Sequence, residues 1–478
     1  MRCSPFSPVS HLAAILNEMP LIDPNDSRPI HFMGIAGAGM SALAELCRRR
    51  GATVTGCDQN PEGAPDLARL GIAVSRLHDA AHLDGHRALV VSSAIPKDHP
   101  EIARARAAGI PVVRRAEALA EATAGGTLVG VAGTHGKSTT TVMTTEALKS
   151  AGIDATGVVG ARVTPWKGHL SPGADTVFVV EADEYDRSFL ALSPDVAVVT
   201  NIEADHLDIY RDMLDIRGAF AQYVRGARWI VLCADDRYSN LVPTPQSAEV
   251  VRFGIGSPEA RLLARAIETK DGRTSFDVRY DGKSAGRVQL GVVGEHNVRN
   301  ALAALAVGLA AWGAPVEKMA AGLAAFAGAD RRFQRIGDAR GVTIVDDYAH
   351  HPTEIRATLS AARLTFPGRR IVVAFQPHLF SRTRDFAGEF GAALAKADQT
   401  FLADIYPARE HPIAGVTSQL IADAMAPAGR SAAWQGPRTE LAAALAGAVR
   451  EGDVVLTIGA GDITRTGPEL LALLQPGS

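Results

Sequence analysis

Residues 130–143, with the sequence GVAGTHGKSTTTVM, place a glycine-rich loop directly between an apolar strand and a helix. A strand that passes at once into a helix forms half of a β-loop-α-β unit, and successive units of this kind build a parallel sheet covered by helices. The tripeptide Gly136-Lys137-Ser138 is the end of a phosphate-binding loop, although Val131 stands where the Walker pattern requires glycine. The segment therefore predicts an α/β domain with a polyphosphate site.

The alternation of apolar strand and helix recurs along the chain. The strand IHFMGI precedes a second glycine turn, and the apolar runs VFVVEAD, AVVTNI, TIVDDY and VVAFQPH end in polar residues. In open α/β sheets the ligand crevice lies at the carboxyl ends of the strands, so these polar ends are site candidates. A chain of 478 residues is too long for a single hydrophobic core of ordinary size. We therefore predict three α/β segments, residues 28–124, 125–328 and 329–478, after an irregular lead-in at 1–27. The more polar residues 228–290 predict antiparallel strands.

Bulk composition excludes several classes of partner. A net charge of −3 gives no electrostatic bias towards nucleic acid or a membrane surface, and the longest apolar run, residues 301–316, is shorter than the roughly 20 residues of a membrane span. The cysteines Cys3, Cys47, Cys57 and Cys233 lack disulfide-like or metal-like spacing, so we interpret them as packing thiols in a reducing compartment. We expect a cytoplasmic protein without nucleic-acid binding or membrane insertion.

The first glycine turn, GIAGAG at residues 34–39, lies where backbone N–H groups and a helix N-terminus can hold a diphosphate. Its spacing, G-x-x-G-x-G, differs from the dinucleotide pattern G-x-G-x-x-G, which disfavours a redox role. Asp58 ends the next strand, where a carboxylate can accept hydrogen bonds from a ribose. The turn predicts nucleotide binding, and a tight turn without a ligand is the structural alternative.

The second glycine loop has the chemistry of a magnesium–ATP site. Lys137 would place a positive charge beside the β- and γ-phosphates, and the Ser138 hydroxyl can ligate Mg²⁺. The strand ends EADEYD and NIEADHLD add carboxylates that would repel one another without cations. Acidic loops on a solvated surface are the alternative interpretation.

The third segment ends two strands in histidine and arginine. DDYAHHPTE contains His350 and His351, and QPHLFSRTRD contains His378, Arg382 and Arg384. No cysteine or spaced histidine completes a zinc site around the histidine pair, whereas the Arg382 guanidinium suits a carboxylate or phosphate.

Eight motifs occur in one order across nearly the whole chain: GTHGKST, EADEYD, NIEADHLD, GEHNVRNALAA, RRFQR, DDYAHHPTEI, QPHLFSRTRD and IGAGDI. In that order they resemble the Mur ligases of peptidoglycan synthesis. The resemblance implies an N-terminal Rossmann-like domain for a UDP-sugar, a central P-loop ATPase-like domain with a parallel sheet, and a C-terminal Rossmann-like domain that completes the ATP and amino-acid sites. It also implies an ATP- and Mg²⁺-dependent ligase that activates a carboxylate as an acyl phosphate before an amine attacks it.

Within the family, HFMGIAGAGMSALAE, SSAI and QPHxxSRT resemble the branch that joins L-alanine to the lactyl carboxylate of UDP-N-acetylmuramate. Later-acting branches have a carbamylated lysine downstream of the metal histidine, and this chain has no lysine between Lys167 and Lys270. The alanine branch often has arginine where Leu379 stands, so the contact with the amino acid would fall to Arg382.

The resemblance also implies residue roles. The implied ATP-binding residues are Gly133, Thr134, His135, Gly136, Lys137, Ser138, Thr139, His296, Asn297, Asn300, Arg331, Arg332 and Asp346. Ser138 and Glu181 would ligate one Mg²⁺, and His206 a second metal ion. The implied UDP-sugar contacts are Gly37, Ala38, Gly39, Met40, Ser41, Asp58 and Ser92. The implied amino-acid contacts are Tyr348, His350, His378 and Arg382, and the implied catalytic residues are Lys137, Glu181, His206, His350 and Arg382.

Other functions share some of these features. A recycling ligase that attaches a tripeptide to the same UDP-sugar would share the first two domains, and QPHLFSRTRD disfavours it. A folate-polyglutamate synthetase-like enzyme would not require the N-terminal glycine turn, and a dehydrogenase would leave the ATP loop unexplained. A non-catalytic regulator is disfavoured because every expected polar motif is present. The oligomeric state is left open between monomer and homodimer.

Overall fold

A computed structural model describes residues 20–23, 25–408 and 410–475 of the chain. The predicted lead-in lies largely outside the described residues, as does Cys3. The described chain forms two units. The first unit contains the residues up to Ala264 together with Val278–Gly286 and Arg299–Leu323. The second unit contains Arg265–Asp277, Arg287–Val298 and the residues from Ala324 onward.

The first sheet belongs to the first unit and is entirely parallel. Its strands are β1 (Ile30–Met33), β2 (Val54–Asp58), β3 (Ala73–Arg76), β4 (Ala88–Val91) and β5 (Val112–Arg114). They lie in the order β3-β2-β1-β4-β5. The helices that connect them or follow them are α1 (Ala38–Arg49), α2 (Pro65–Arg69), α3 (Pro100–Ala107) and α4 (Arg115–Ala122). Crossovers through helices bring each strand back in the same direction, which is why the pairing is parallel.

The second sheet contains the phosphate-loop strand. Its strands are β6 (Thr127–Ala132), β7 (Thr156–Val163), β8 (Gly168–Ser171), β9 (Val177–Glu181), β10 (Val196–Val199), β11 (Trp229–Cys233), β12 (Glu249–Gly254), β13 (Leu262–Lys270), β14 (Arg273–Tyr280) and β15 (Lys283–Leu290). Their order is β15-β14-β13-β12-β11-β10-β6-β9-β7-β8. The next helices are α5 (Lys137–Ser150), α6 (Met213–Val224), α7 (Arg237–Asn240), α8 (Glu295–Trp312) and α9 (Val316–Ala325).

Strand β6 lies between β9 and β10 and is parallel to both. The carboxyl ends of these three strands therefore meet at one edge of the sheet. The prediction of antiparallel strands from residue 228 is wrong for β11 and β12, because β11 pairs in parallel with β10 and with β12. Helix α7 and its connections reverse the chain between β11 and β12, which polarity alone does not indicate.

The third sheet belongs to the second unit. Its strands are β16 (Gln334–Ala339), β17 (Val342–Asp347), β18 (Ile371–Phe375), β19 (Gln399–Ala403), β20 (Trp434–Gly436) and β21 (Val454–Ile458), in the order β16-β17-β21-β18-β19-β20. Only β16 is antiparallel to its neighbour among the pairings of this sheet. The two residues between β16 and β17, Arg340 and Gly341, have φ of 48° and 72°, as a tight hairpin turn requires.

Helices complete the second unit on the faces of its sheet. They are α10 (Pro352–Thr365), α11 (Phe380–Asp385), α12 (Ala387–Leu394), α13 (Gln419–Met425), α14 (Arg438–Ala448) and α15 (Thr466–Leu474). Short 3₁₀ turns across both units are Pro61–Gly63, Ala80–Leu83, Thr164–Trp166, Tyr185–Ala191, Ala426–Ala428 and Asp462–Arg465. The predicted α/β class with parallel sheets is confirmed. Across residues 20–23, 25–408 and 410–475, no helix has both the length and the apolar character needed to span a bilayer.

Helix α9 packs closely on α5, the helix that follows the phosphate loop. The Ser150 hydroxyl at the end of α5 donates to the carbonyl of Lys318 at 2.9 Å. A Cβ placed on Gly322 would lie 2.1 Å from the backbone oxygen of Glu146 and 2.8 Å from the Ser150 hydroxyl. The absent side chain of Gly322 therefore lets the two helices approach.

We expect Gly322→Ala to lower the free energy of unfolding by about 1–3 kcal/mol, because the new methyl group overlaps the backbone of α5. The matched control is Gly218→Ala in α6, where the added Cβ meets no described atom within 4 Å. That control should be neutral or stabilise by up to about 1 kcal/mol, since alanine is the better helix former. Thermal unfolding of both variants compares them, and equal midpoints would contradict the packing argument.

Candidate active site

The phosphate loop is shaped by two glycines with positive φ, a region that favours glycine. Gly133 has φ of 136° and Gly136, which caps α5, has φ of 81°. A Cβ on Gly133 would lie 2.1 Å from Thr200 Oγ1, and one on Gly136 would lie 2.6 Å from Asn300 Oδ1. Both positions thus require glycine for conformation and for space.

Polar groups that follow β10 hold this loop in place. Thr200 Oγ1 donates to the His135 carbonyl at 2.6 Å, and Asn201 Oδ1 accepts from the His135 N–H at 2.8 Å. The Glu203 N–H donates to Thr134 Oγ1 at 2.8 Å. Thr200 and Asn201 were not among the predicted site residues. Their signal in the sequence is their position at a strand end beside the loop strand.

Lys137 is paired, and 14% of its side chain is exposed. Its Nζ donates to Glu184 Oε1 at 2.9 Å and to the Gly133 carbonyl at 2.8 Å. Burial alone would lower the pKa of Lys137, but the nearby carboxylates of Glu184 and Asp183 raise it overall, so the ammonium group stays charged. Burial raises the pKa of Glu184, while the Lys137 ammonium acts in the opposite direction. Glu184 belongs to the acidic motif EADEYD but was not a predicted site residue.

Ser138, in the first turn of α5, meets Glu181 at the end of β9. The Ser138 hydroxyl lies 3.0 Å from each carboxylate oxygen of Glu181, and the Gly160 N–H donates to Glu181 Oε2 at 2.7 Å. A hydroxyl and a carboxylate are oxygen donors of the kind that Mg²⁺ binds. The donor set therefore fits the predicted magnesium ligands.

His206 also lies near Glu184. Its Nε2 is 3.9 Å from Glu184 Oε1 and 3.9 Å from Asp205 Oδ2, and its ring contacts Tyr185 edge-to-face at 5.1 Å between centroids. The φ of His206 is 53°, a conformation uncommon for a residue with a side chain. Thus Glu184 joins Lys137 and His206 in one polar cluster.

Two predicted ATP residues lie near α5. The Asn300 side-chain oxygen accepts from Thr140 Oγ1 at 3.2 Å, and Asn300 is buried beside Gly136. Thr139 is buried in the first turn of α5. The proposed contact of Asn300 with adenine stays a prediction.

The first glycine turn is held by Asp58. The Asp58 carboxylate accepts from the N–H of Ala36 at 3.0 Å and from the N–H of Asn60 at 2.8 Å. Gly34, with φ of 78°, starts the turn, and its Cβ position faces Ser92 at 3.4 Å. The predicted UDP-sugar residues therefore meet at the carboxyl edge of the first sheet.

Helix α1 begins inside this turn. Within the described chain no side chain caps it at Gly37, and its first turn carries no acidic residue. Ala38, Gly39, Met40 and Ser41 form that first turn. An N-terminus without a capping side chain favours an anion.

Arg115 was not predicted, yet it lies over the same helix start. Its Nη1 is 3.0 Å from the Cβ position of Gly39, and its Nη2 is 3.7 Å from Asp183 Oδ2. The side chain thus places a positive charge between the glycine turn and the acidic motif. Its sequence signal is an arginine immediately after the end of β5.

In the second unit, Asp346 is fully buried at the end of β17. It accepts from Arg331 Nε at 3.1 Å, from Thr457 Oγ1 at 2.7 Å and from Thr464 Oγ1 at 3.0 Å. The Arg331 guanidinium also stacks on the Tyr348 ring at 4.9 Å. The predicted pair of Arg331 and Asp346 is therefore brought together.

Tyr348 connects this pair to the histidines. Its other neighbours include the Arg332 guanidinium, 5.3 Å from the ring, and His350, edge-to-face at 5.3 Å. His350 Nδ1 lies 3.3 Å from Glu354 Oε2. Beside them, burial raises the pKa of Asp347 to about 6.

His378 and Arg382 lie together at the start of α11. Arg382 Nη1 is 3.4 Å from His378 Nδ1, and the His378 ring is 6.1 Å from His350 and stacks on Tyr406 at 5.7 Å. Tyr406 was not predicted. The positions of His350, His378 and Arg382 bring three predicted amino-acid contacts into one cluster.

Leu379 is buried, with φ of 71°.

Asn297, elsewhere in the second unit, donates from its amide to the Val293 carbonyl at 2.8 Å. The neighbouring His296 ring lies 2.6 Å from the Cβ position of Gly294. Roles for His296 and Asn297 in ATP binding stay predictions.

Three family models match successive parts of the chain. The Mur ligase family, catalytic domain matches residues 29–127, the Mur ligase middle domain residues 131–308, and the Mur ligase, glutamate ligase domain residues 331–461. Each match contains one of the three sheets or most of it.

A protein named UDP-N-acetylmuramate–L-alanine ligase from Cutibacterium acnes is 43% identical over 463 residues, which cover 95% of this chain and 98% of that protein. The solved structure of UDP-N-acetylmuramate-alanine ligase MurC from Thermotoga maritima is 29% identical with a TM-score of 0.79, covering 93% of this chain and 98% of that one. A murein peptide ligase from Psychrobacter arcticus is 25% identical with a TM-score of 0.69, covering 94% and 99%. The chain belongs to the Mur ligase family.

Proposed function

We propose that this chain is an ATP-dependent ligase that joins L-alanine to the lactyl carboxylate of UDP-N-acetylmuramate. The observation that carries the proposal is the 43% identity with an L-alanine ligase over 95% of the chain, because it extends across all three sheets. The polar cluster at the phosphate loop supports the proposal, because its lysine, hydroxyl and carboxylate groups would supply the chemistry that such a reaction requires.

An amide does not form directly from a carboxylate and an amine, because the carboxylate has no leaving group. Transfer of the γ-phosphoryl group of ATP to the carboxylate gives an acyl phosphate and ADP. The amine of alanine then attacks the acyl carbon, and inorganic phosphate leaves as the amide bond forms. The site must therefore bind a polyphosphate and bring two anions together.

Lys137 is the group we assign to the transferring phosphate. Its ammonium group is held by Glu184 and the loop carbonyls, within reach of the loop that would hold ATP. The γ-phosphate would take over part of this pairing, which keeps the buried charge compensated throughout. We further assign the loop residues Gly133–Thr139 and Asn300 to ATP.

Ser138 and Glu181 would hold Mg²⁺, and we assign His206 to a second metal ion. Bound there, Mg²⁺ would neutralise charge on the phosphates. The residues themselves keep their donors aligned without it, because the Gly160 N–H fixes the Glu181 carboxylate.

The remaining roles follow the domain limits predicted from the sequence. We assign residues 28–124 to the UDP-sugar, 125–328 to ATP and 329–478 to the amino acid and ATP. Gly37–Ser41 would hold the diphosphate, with Asp58 shaping the turn and Ser92 beside it. His350, His378, Arg382 and Tyr348 would bind alanine, while Arg331, Arg332, Asp346, His296 and Asn297 would complete the ATP site. We also propose a cytoplasmic location, and a monomer or homodimer as the oligomeric state.

A tripeptide-recycling ligase acting on the same UDP-sugar is the second candidate. The likeness to the murein peptide ligase of Psychrobacter arcticus supports it, but that likeness is lower in identity and in TM-score than the likeness to the alanine ligase of Thermotoga maritima. The alanine reaction is therefore the better supported.

Phosphate release with ATP and UDP-N-acetylmuramate separates these candidates. We expect the highest kcat/KM with L-alanine, lower values with glycine and L-serine, and no turnover with the tripeptide. The measurement compares the four amine substrates at equal concentrations. Turnover with the tripeptide alone would contradict the assignment to alanine.

Lys137→Ala should reduce kcat for phosphate release by about 10²–10³-fold, the typical cost of removing one positioned group that stabilises transition-state charge. Lys149→Ala is the matched control, because Lys149 lies at the other end of α5 and donates to Ser171 Oγ at 2.6 Å. The control should turn over like the unmodified protein. Equal loss in both variants would point to a helix defect instead.

Glu181→Gln should raise the Mg²⁺ concentration for half-maximal turnover by at least about tenfold, since one charged oxygen ligand becomes neutral. The control is Glu146→Gln, whose carboxylate accepts from Trp166 Nε1 at 2.6 Å and can be replaced by an amide oxygen. A magnesium titration of the initial rate measures the shift. An unchanged midpoint in Glu181→Gln would remove Glu181 from the metal site.

A further inference from the structure

A second group of side chains of the types that bind metals lies in and beside the first sheet. It consists of His31 in β1, Cys57 in β2, His82 in the 3₁₀ turn Ala80–Leu83 and Glu101 in the first turn of α3. Cys57 and Glu101 are fully buried and His31 is 2% exposed. Their ligand atoms all lie within 4.8 Å of one another. Successive members of this cluster are about 20 to 26 positions apart in the sequence, so no short sequence motif indicates the site.

Three distances between ligand atoms of this cluster are those expected around one tetrahedral ion. His31 Nε2 lies 3.3 Å from Cys57 Sγ, the Glu101 oxygens lie 3.6 and 3.7 Å from the same sulfur, and His82 Nδ1 lies 3.4 Å from Glu101 Oε1. Tetrahedral zinc, with bonds of about 2.0–2.3 Å to nitrogen, oxygen and sulfur, places neighbouring ligand atoms about 3.3–3.6 Å apart. Three of the six pairs of ligand atoms therefore have the spacing that a zinc ion requires, and all four atoms lie within 4.8 Å of one another.

Hydrogen bonds outside the cluster prepare His31 as a ligand. His86 Nδ1 lies 3.2 Å from the Asp84 carbonyl and must donate to it, which leaves His86 Nε2 as an acceptor for Thr55 Oγ1 at 2.8 Å. The Thr55 oxygen then accepts from His31 Nδ1 at 2.9 Å. This series of hydrogen bonds places the proton of His31 on Nδ1. The unprotonated Nε2 then directs its lone pair towards Cys57.

The charge of Glu101 and the missing hydrogen bond of His82 Nδ1 both indicate a bound cation. Within the described residues, His82 is the one basic side chain within 4 Å of the buried Glu101 carboxylate. His82 Nδ1 is itself buried without a hydrogen-bond partner in the described chain. The Asp79 N–H donates to Glu101 Oε1 at 2.6 Å and fixes the carboxylate. A divalent cation would satisfy both groups.

We propose that His31 Nε2, Cys57 Sγ, His82 Nδ1 and the Glu101 carboxylate form a four-coordinate zinc site. On binding, the thiol proton of Cys57 passes to solvent and one bond forms from zinc to each of the four ligands. Zinc with one thiolate, one carboxylate and two neutral imidazoles has no net charge, which suits a buried position. His78 Nδ1, 3.0 Å from the sulfur, would donate to the thiolate.

Four protein ligands and no open position describe a structural site rather than a catalytic one. The site would support the nucleotide turn directly. The Cys57 carbonyl accepts from the N–H of Gly34 at 2.8 Å and of Ile35 at 3.2 Å, and the next residue, Asp58, holds Ala36. A metal bound at Cys57 would thus fix the strand end on which the glycine turn rests. His82, with 23% of its side chain exposed, offers the route of entry.

The test measures metal binding and does not depend on ligase activity. Protein purified without a metal-affinity tag is stripped with a chelator and then titrated with Zn²⁺ and, separately, with Co²⁺. We expect elemental analysis to find one Zn²⁺ per chain. This Zn²⁺ should remain bound in the presence of a weak chelator. Co²⁺ should give the thiolate charge-transfer band and the intense visible bands of a tetrahedral site.

Cys57→Ser should abolish the charge-transfer band and weaken Zn²⁺ binding at least tenfold. Cys47→Ser and Cys233→Ser are the matched controls, because both remove a buried thiol and should leave the band unchanged. His82→Gln, at a less buried position, should weaken Zn²⁺ binding at least tenfold while keeping a folded circular dichroism spectrum. An unmodified protein without the band, or a band that persists in Cys57→Ser, would overturn the proposal.

Discussion

The parallel pairing of β6 with β9 and β10 is the constraint on which the phosphate site depends. Val131 of β6 lies opposite Glu181 of β9 and opposite Val198 of β10. Because the three strands run in one direction, the glycine loop, the acidic motif and the Thr200-Asn201 pair all begin at the same edge. A single reversed strand would send one of these groups to the opposite end of the sheet.

The buried ion pair of Lys137 and Glu184 follows from that arrangement. A lysine with only 14% of its side chain exposed is stabilised in its charged form by a compensating carboxylate, and Glu184 is positioned by the turn after β9. The ion pair keeps the ammonium group in place beside the loop. A bound polyphosphate could then replace Glu184 as a partner of that ammonium group. The same logic explains why Arg331 is held by the buried Asp346 in the second unit.

The first sheet carries the residues of two proposed sites of different kinds. At its carboxyl edge, Asp58 and Gly34 form a turn open to a ligand, whereas one residue earlier Cys57 points into a closed set of nitrogen, sulfur and oxygen donors. Alternation along a strand produces this contrast, since neighbouring side chains face opposite sides of the sheet. A structural ion on one face and a nucleotide turn at the edge are therefore compatible uses of the same strand.

The sequence by itself determined the α/β class, both glycine turns, the strand ends that carry polar residues and the family, because these depend on local periodicity and on motifs in contiguous residues. It did not indicate that β11 and β12 are parallel, that Thr200 and Asn201 hold the loop, or that Arg115 lies over Gly39. Those features, and the grouping of His31, Cys57, His82 and Glu101, depend on contacts between residues distant in the chain. Only the tertiary structure decides them, since strand order and helix crossing fix which distant side chains meet.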